Sequence, residues 1–451
     1  MRKRSRTARF MQTAFALLFV LLLLLQSGEA AAAPIARRDV LPNGLVLLHA
    51  EKKTLPIVKV VVAIRAGSIM ESYEKAGLAN LTADLLKEGT RRRSSKEISD
   101  AIEFVGGSLG SSGGADFITI TLSVLRKDLE LGFDLLSDII LNPAFSDEEV
   151  ARRKALIRSS IIQQKEEPGA VASKAFMKAV FGDNPYGWPA EGTEDSVARI
   201  TRQDIVDFHR TCYVPNNAIM TVVGDVGSDE LKGLIAKYFR GWNGKDVPSP
   251  RIPAPYSPDK PAVIAINKEI TQANIILGHA GVRRDDPDYY AVLVMNYILG
   301  GGGFASRLMD NIRDNKGLSY DVHSFFAANK YAGSFQVGLQ TKNQSANTAI
   351  EETLKEMNRI MTEPVGDKEL NDARSFLTGS FPLKIDSNNK IAGFLTSVEY
   401  YNLGLDYIEK YPAYINAVTK EDVLRVAKKH LNTKGYILVV VGDLEKAKLK
   451  Y

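Results

Sequence analysis

The chain has 451 residues, 25% of them charged and 45% apolar, with 58 basic against 53 acidic side chains. That length exceeds one ordinary core and predicts two or more domains, and the composition excludes a disordered or collagen-like chain. Cys212 is the only cysteine, so no intrachain disulfide can form, and it reads as a buried thiol.

The first 33 residues stand apart. Five basic residues fall within 1–9, an unbroken apolar run of twelve fills 14–25, and small residues follow around Gly28 and 30–33. This is the pattern of a secretory signal peptide cleaved near 30–33, which predicts export to a periplasm or beyond. Twelve apolar residues are too few to span a bilayer comfortably, so no stable membrane insertion is expected. The remaining chain carries 53 basic against 52 acidic residues, and leaves no basic patch of the kind nucleic-acid binding requires.

A first domain is expected over 34–245. Asn43-Gly44, set between Leu41 and the apolar run 45–48, is a hairpin turn signal. "IVKVVVAIRAG" (57–67) reads as a strand, 77–88 as a helix, "DFITITLSVL" (116–125) as an alternating strand and 147–165 as a long helix. Thr201, with Asp204 three residues on, is a helix N-cap signal, and "IMTVVGD" (219–225) is a buried strand stopped by a turn. Six of the 18 prolines then fall within 248–261, which predicts a semi-rigid extended linker over 246–261.

The second domain, 262–451, repeats the first. Thr201 to Gly224 and Thr419 to Gly442 both span 23 positions, and Asp204 and Asp422 correspond. "SDEEVARRKALIRSS" (146–160) is matched by "GDKELNDARSFLTGS" (366–380) at a similar offset of 220. These matches predict a duplication, and strands and helices in runs without strict alternation predict an α+β fold.

The helix at 77–88 raises the functional question. Histidines at positions 80 and 84 of such a helix would share one face and could hold zinc, while a glutamate at 83 could deprotonate a metal-bound water. That is the H-x-x-E-H arrangement of inverted zinc peptidases. The chain places Asn80, Ala83 and Asp84 there. The surrounding segments nevertheless match a family: "LPNGL" (41–45), "AGS" with Glu71, the GLA…GT frame of 77–90 and "NPYG" with "GT" (184–193). "YVPNNA" with "VVGD" (213–225) and the LGGG…SRL…IR…GLSY series (299–320) complete the set. Over nearly all of the chain beyond residue 33, the sequence resembles the pitrilysin/insulinase family of zinc peptidases, which includes the mitochondrial processing peptidases and bacterial relatives of similar size.

The resemblance implies two homologous domains facing each other across a cavity, and it marks where this chain departs. Asn80 and Asp84 replace the histidines, Ala83 replaces the general base, and Ser160 stands where the family's third ligand, a glutamate, would be. No histidine lies between His49 and His209, so a shifted register cannot restore the motif. A hard cation needs about six oxygens, more than Asn80 and Asp84 supply. No cofactor is therefore expected on this chain. In two-subunit members the zinc lies on one chain and the partner supplies an arginine and a tyrosine, positions occupied here by Arg313 and Tyr320. A guanidinium and a phenol are donors suited to a peptide carbonyl or its developing oxyanion. The four glycines 300–303 (Gly300, Gly301, Gly302 and Gly303) would let a substrate chain approach closely.

Four further histidines lack a ligand-spaced neighbour. His209 and His430 are expected solvated or capping near matching helix ends, His279 at the start of a turn, and His323 on the opposite strand face from Tyr320. The combined expectation is a non-catalytic, substrate-binding subunit of an exported heterodimeric zinc peptidase, partnered by a homologous chain with H-x-x-E-H and acting on an unfolded peptide. The alternative is a free-standing peptide-binding or scaffold protein of the same fold.

Overall fold

The Asn43-Gly44 turn opens the fold. In the computed structural model, which describes residues 35–451, Gly44 takes φ +88° and joins β1 (Arg37–Val40) to its antiparallel partner β2 (Val46–Glu51). The expected signal peptide lies outside the described residues. With β3 (Ile57–Ile64), β4 (Ser108–Gly113), β5 (Ile118–Leu125) and β6 (Ala218–Gly224), the first sheet runs β1-β2-β6-β3-β5-β4. The second comprises β7 (Ala262–Asn267), β8 (Gln272–Gly281), β9 (Ser319–Ala328), β10 (Gly333–Lys342) and β11 (Ile437–Gly442), ordered β7-β11-β8-β10-β9. Without β1, the two orders are the same. The β2–β6 and β7–β11 pairs are both parallel, and the other pairs antiparallel. The duplication read from the helix–strand endings thus extends through both sheets.

Seven helices position the features discussed below: α1 (Leu78–Leu85), α2 (Asp147–Gln164), α3 (Pro168–Phe181), α4 (Arg202–Cys212), α5 (Tyr289–Asn296), α6 (Asn388–Tyr400) and α7 (Lys420–His430). Ser146 caps α2 by accepting from the Glu149 amide. Thr201 and Thr419 start α4 and α7 with reciprocal capping boxes closed by Asp204 and Asp422. Such caps satisfy amides that have no partner within the helix.

Strands β6 and β11 are buried along their whole length, because each has a helix on both faces. Leu438 and Val440 of β11 enter the core of their own half with Leu277 and Val337. Ile437, Val439 and Val441 point the other way and pack with Ala172, Phe176 and Val180 of α3, a helix of the first half. The exchange is reciprocal: α6, from the second half, lies on β6 and β3. There the Thr396 and Thr221 hydroxyls are 2.8 Å apart and fully sheltered. Each half therefore supplies the cover for the other half's sheet.

Polar contacts fix the exchanged helices. Arg38 of β1 donates twice to Glu399 of α6, at 2.8 and 2.9 Å. Asp116 accepts from the hydroxyls of Tyr186 and, at 3.4 Å, Tyr401, so carboxylate and phenols from both halves meet in one buried cluster. The proline-rich stretch has no helix or strand, but it is tied down. The Asn184 side chain donates to Pro253 O at 2.5 Å and the Tyr256 amide to Val180 O at 2.7 Å. Among the described residues, no helix is long and apolar enough to cross a membrane.

Phe176 is fully buried, and its ring lies over Gly278, where a Cβ would sit 2.8 Å from the ring's Cζ. Truncating it should open a cavity at the crossing of the two halves. Phe176→Ala is expected to cost about 3–5 kcal/mol in urea unfolding. A loss well under 1 kcal/mol would mean that α3 does not carry the second sheet's inner face.

Candidate active site

The degenerate motif lies on α1, whose start is tightly determined. Gly77 precedes it at φ +97°, and a Cβ there would meet Glu191 O at 2.7 Å, so only glycine fits. The Glu71 carboxylate accepts from the Gly77 and Ala79 amides at 2.9 and 2.5 Å, satisfying two orphan donors of the helix. Edge strand β4 runs beside the motif: Ser111 donates to Ala83 O at 2.6 Å, and the backbone of Gly113 abuts Asn80.

Within the motif, Ala83 is fully buried and Asn80 and Asp84 are half-buried. Asp84 Oδ2 lies 3.9 Å from Arg153 Nε on α2, and the same guanidinium donates to Glu88 at 2.8 Å. Burial lifts the Asp84 carboxyl above its ordinary value, with Arg153 opposing. Ser160 is exposed on α2, two turns beyond Arg153. The donors here are an amide, one carboxylate already facing a cation, and a hydroxyl. Zinc binds through imidazole, thiolate and carboxylate sets, and this set does not fit it. The methyl group of Ala83 cannot accept a proton. No hydrolytic step can be derived through a metal at α1.

The other candidate residues come together in the second half. Arg313 belongs to the helical segment Met309–Asn315, and Tyr320 enters β9 just after the turn at Gly317, φ +61°. The Arg313 guanidinium carbon lies 5.3 Å from the Tyr320 ring centroid and 4.7 Å from that of Phe304. Both rings project outward, Tyr320 at 86% exposure and Phe304 at 71%, with the guanidinium between them. Arg313 Nη1 also donates to Asp314 at 3.0 Å. Cation–π contact at such sites contributes about 0.5–1 kcal/mol and restricts the fork's orientation. Phe304 escaped the sequence reading, and its only signal was a large aromatic directly after four glycines.

The glycines divide in role. Gly300 is buried, and a Cβ would meet Ser324 Oγ at 2.5 Å and Leu308 Cδ1 at 2.7 Å. It admits the chain's own strand β9, so the expectation of substrate contact is corrected at this position. Gly301 and Gly303 are exposed and Gly302 half-exposed.

The histidine expectations need correction too. His279 lies within β8, buried, and accepts from the Asn432 amide at 3.1 Å; it does not begin a turn. A bulge sets both Tyr320 and Asp321 against Gln340, so strand parity slips, and Tyr320 and His323 are both exposed. His323 Nδ1 is 2.9 Å from Asp321, on the wall of a cavity of about 360 Å³ between α3 and the second sheet, which Ser173, Asn274 and Gln336 also line. His209 is half-buried and bonded: its Nε2 meets Ile140 O at 2.9 Å, and burial pushes its pKa down to about 4. His430 Nε2 bonds Asp288 at 2.8 Å, with Asp286 close by. Arg425 and Lys429 each donate to the same Asp288 carboxylate at 2.7 Å. Burial would raise that carboxyl, but Lys429, His430 and Arg425 together hold it well below its ordinary value, so it is already paired with side-chain cations.

Two models of one family match the chain in tandem: "Insulinase (Peptidase family M16)" over residues 46–194 and "Peptidase M16 inactive domain" over 199–377. The chain belongs to the M16 peptidase family. An uncharacterized zinc protease of Mycobacterium leprae (strain TN) is 28% identical over 419 residues, spanning 92% of this chain and 93% of that protein. The zinc protease YmxG of Bacillus subtilis (strain 168), also uncharacterized, is 24% identical, spanning 90% and 98%. Among solved structures, a peptidase M16 inactive domain from Pseudomonas fluorescens superposes with a TM-score of 0.84 at 29% identity, covering 90% of this chain and 98% of that one. A protease from Helicobacter pylori shares the fold, with a TM-score of 0.84 at 21% identity, covering 91% and 100%.

The first M16 model spans Asn80, Ala83, Asp84 and Ser160, and the second spans Arg313 and Tyr320. The inactive-domain match and the Pseudomonas neighbour point to a non-catalytic M16 member. Two measurements check the α1 region. The purified chain should hold well under one zinc per molecule by elemental analysis, and Asn80→His with Asp84→His should still not hydrolyse peptides, because position 83 stays a methyl and 160 a hydroxyl. Stoichiometric zinc lost on Asp84→Ala would contradict this.

Glu71 gives a pH signature. Burial pushes its pKa up from 4.5 to about 8, against the two amide bonds that favour the charged form. The folded chain therefore keeps a proton that the unfolded chain releases. Its contribution is fully present below about pH 4.5 and is lost as pH rises to about 8. The stability of Glu71→Gln relative to the parent should rise across that window; a pH-independent difference would place the carboxyl in water.

Proposed function

We propose that this chain is the non-catalytic, substrate-binding subunit of an exported heterodimeric M16 peptidase, whose homologous partner carries H-x-x-E-H and its zinc. The observation that carries the reading is a contrast within one chain. The α1 donors do not fit zinc, while the exposed Tyr320 ring and the half-buried Arg313 guanidinium lie side by side, 5.3 Å apart. The apolar run at 14–25 behind five basic residues supports export.

In this reading Arg313 and Tyr320 enter the partner's site and donate hydrogen bonds to a peptide carbonyl. The guanidinium presents a planar fork and the phenol one rotatable donor. As the carbonyl oxygen gains charge on attack, both bonds strengthen, so they contribute more in the transition state than in the ground state. Phe304 and Tyr320 hold the fork from either side, which limits the reorganisation needed when substrate arrives.

In the assembled complex, Arg313→Ala and Tyr320→Phe should each lower kcat and kcat/KM together, by roughly a hundredfold where oxyanion stabilisation is involved. Arg313→Lys should fail as well, because an ammonium lacks the fork. Tyr320 is exposed, so the variants should assemble normally. Unchanged kinetics in a correctly assembled double variant would remove the donor role and favour a free-standing peptide-binding or scaffold protein.

A further inference from the structure

A groove of about 700 Å³ on the first half runs between the end of the helix Leu129–Leu141, α4 and the segment 238–245 that leads into the proline-rich stretch. Arg91, Arg202, Arg210, Arg240 and Lys245 line it, and no aspartate or glutamate does. In a chain whose charges balance almost to zero beyond residue 33, this is a strong segregation. Among the described residues, only Arg210 of these five has a carboxylate partner, Asp207 at 2.7 Å.

The walls are held in place. Arg202 donates to Phe145 O at 2.5 Å and Ala144 O at 3.3 Å, fixing a loop in which Phe145 sits buried in the left-handed region at φ +46°. Asn216 pins Lys245 by accepting from its amide at 3.0 Å and donating to its carbonyl at 2.8 Å. The Trp242 indole donates to Tyr213 O at 2.9 Å. Tyr213 also lines the groove, is 4% exposed, and its phenol has no hydrogen-bond partner. Four arginines and a lysine thus line one groove, with Phe145, Tyr213 and Trp242 among its aromatic residues.

We infer that this groove binds a multiply charged, phosphate-bearing anion. Guanidiniums match phosphate oxygens in paired hydrogen bonds, and four cations without a carboxylate partner call for more than the single charge of one carboxylate. The chemistry is shared by an anionic lipid headgroup and a free condensed phosphate. The inference does not rest on the role of Arg313 and Tyr320.

The test uses the full chain with two probes at low salt: inorganic pyrophosphate by calorimetry, and vesicles of phosphatidylcholine with cardiolipin, whose headgroup carries two phosphates, against phosphatidylcholine alone by flotation. Saturable binding of at least one probe is expected, weakened about tenfold or more by Arg240→Glu with Lys245→Glu and also by raised salt. Lys434→Glu with Lys450→Glu, outside the groove, should leave binding unchanged. Pyrophosphate binding without flotation assigns a soluble ligand, and flotation on cardiolipin vesicles without pyrophosphate binding assigns a headgroup. Binding of neither probe, or equal loss in both double variants, would overturn the site.

Discussion

The exchange of α3 and α6 between the two halves is the contact on which the rest of the structure depends. A strand such as β11, apolar at every position, cannot face water on either side. Its own half covers one face, and α3 of the other half covers the second. The same holds for β6 and α6. The halves therefore depend on one another, and the cavity between α3 and the second sheet is a consequence of that packing. Arg38–Glu399 and the Asp116–Tyr186–Tyr401 cluster add polar bonds between the halves.

That frame keeps two surfaces whose chemistry has diverged. On α1 the helix, its glycine start, its Glu71 cap and the β4 edge are all in place, yet Ala83 and the Asp84–Arg153 contact leave no basis for metal chemistry. At the equivalent end of the second half, a guanidinium lies between two exposed rings. Exposed aromatics at 71% and 86% cost solubility, and no core packing explains them.

Much of this was legible in the sequence. Periodicity and caps located the main strands and helices, since Thr201 and Thr419 announce their helices locally. The offset between the repeats anticipated two sheets of one order. The helix exchange was not legible, because an all-apolar strand says that both faces are covered and nothing about which segment covers them. Histidine environments failed for the same reason: His279, His209 and His430 acquire partners 153, 69 and 142 residues away. The bulge at Tyr320–Asp321 defeated a parity argument that assumed a regular strand. Gly300 looked like a substrate contact because sequence cannot say that β9 fills the space above it. The cationic groove was invisible because its residues are scattered from 91 to 245 in a chain of nearly balanced charge.

On the function proposed above, this M16 chain contributes to peptide hydrolysis only through a zinc-bearing homologue. The most direct measurement is reconstitution: the two chains are purified separately, assayed alone for peptide cleavage, and then titrated together. Negligible turnover is expected from either chain alone, with activity that saturates at one copy of each. Chelator-sensitive cleavage by this chain alone, or a partner equally active without it, would contradict that function.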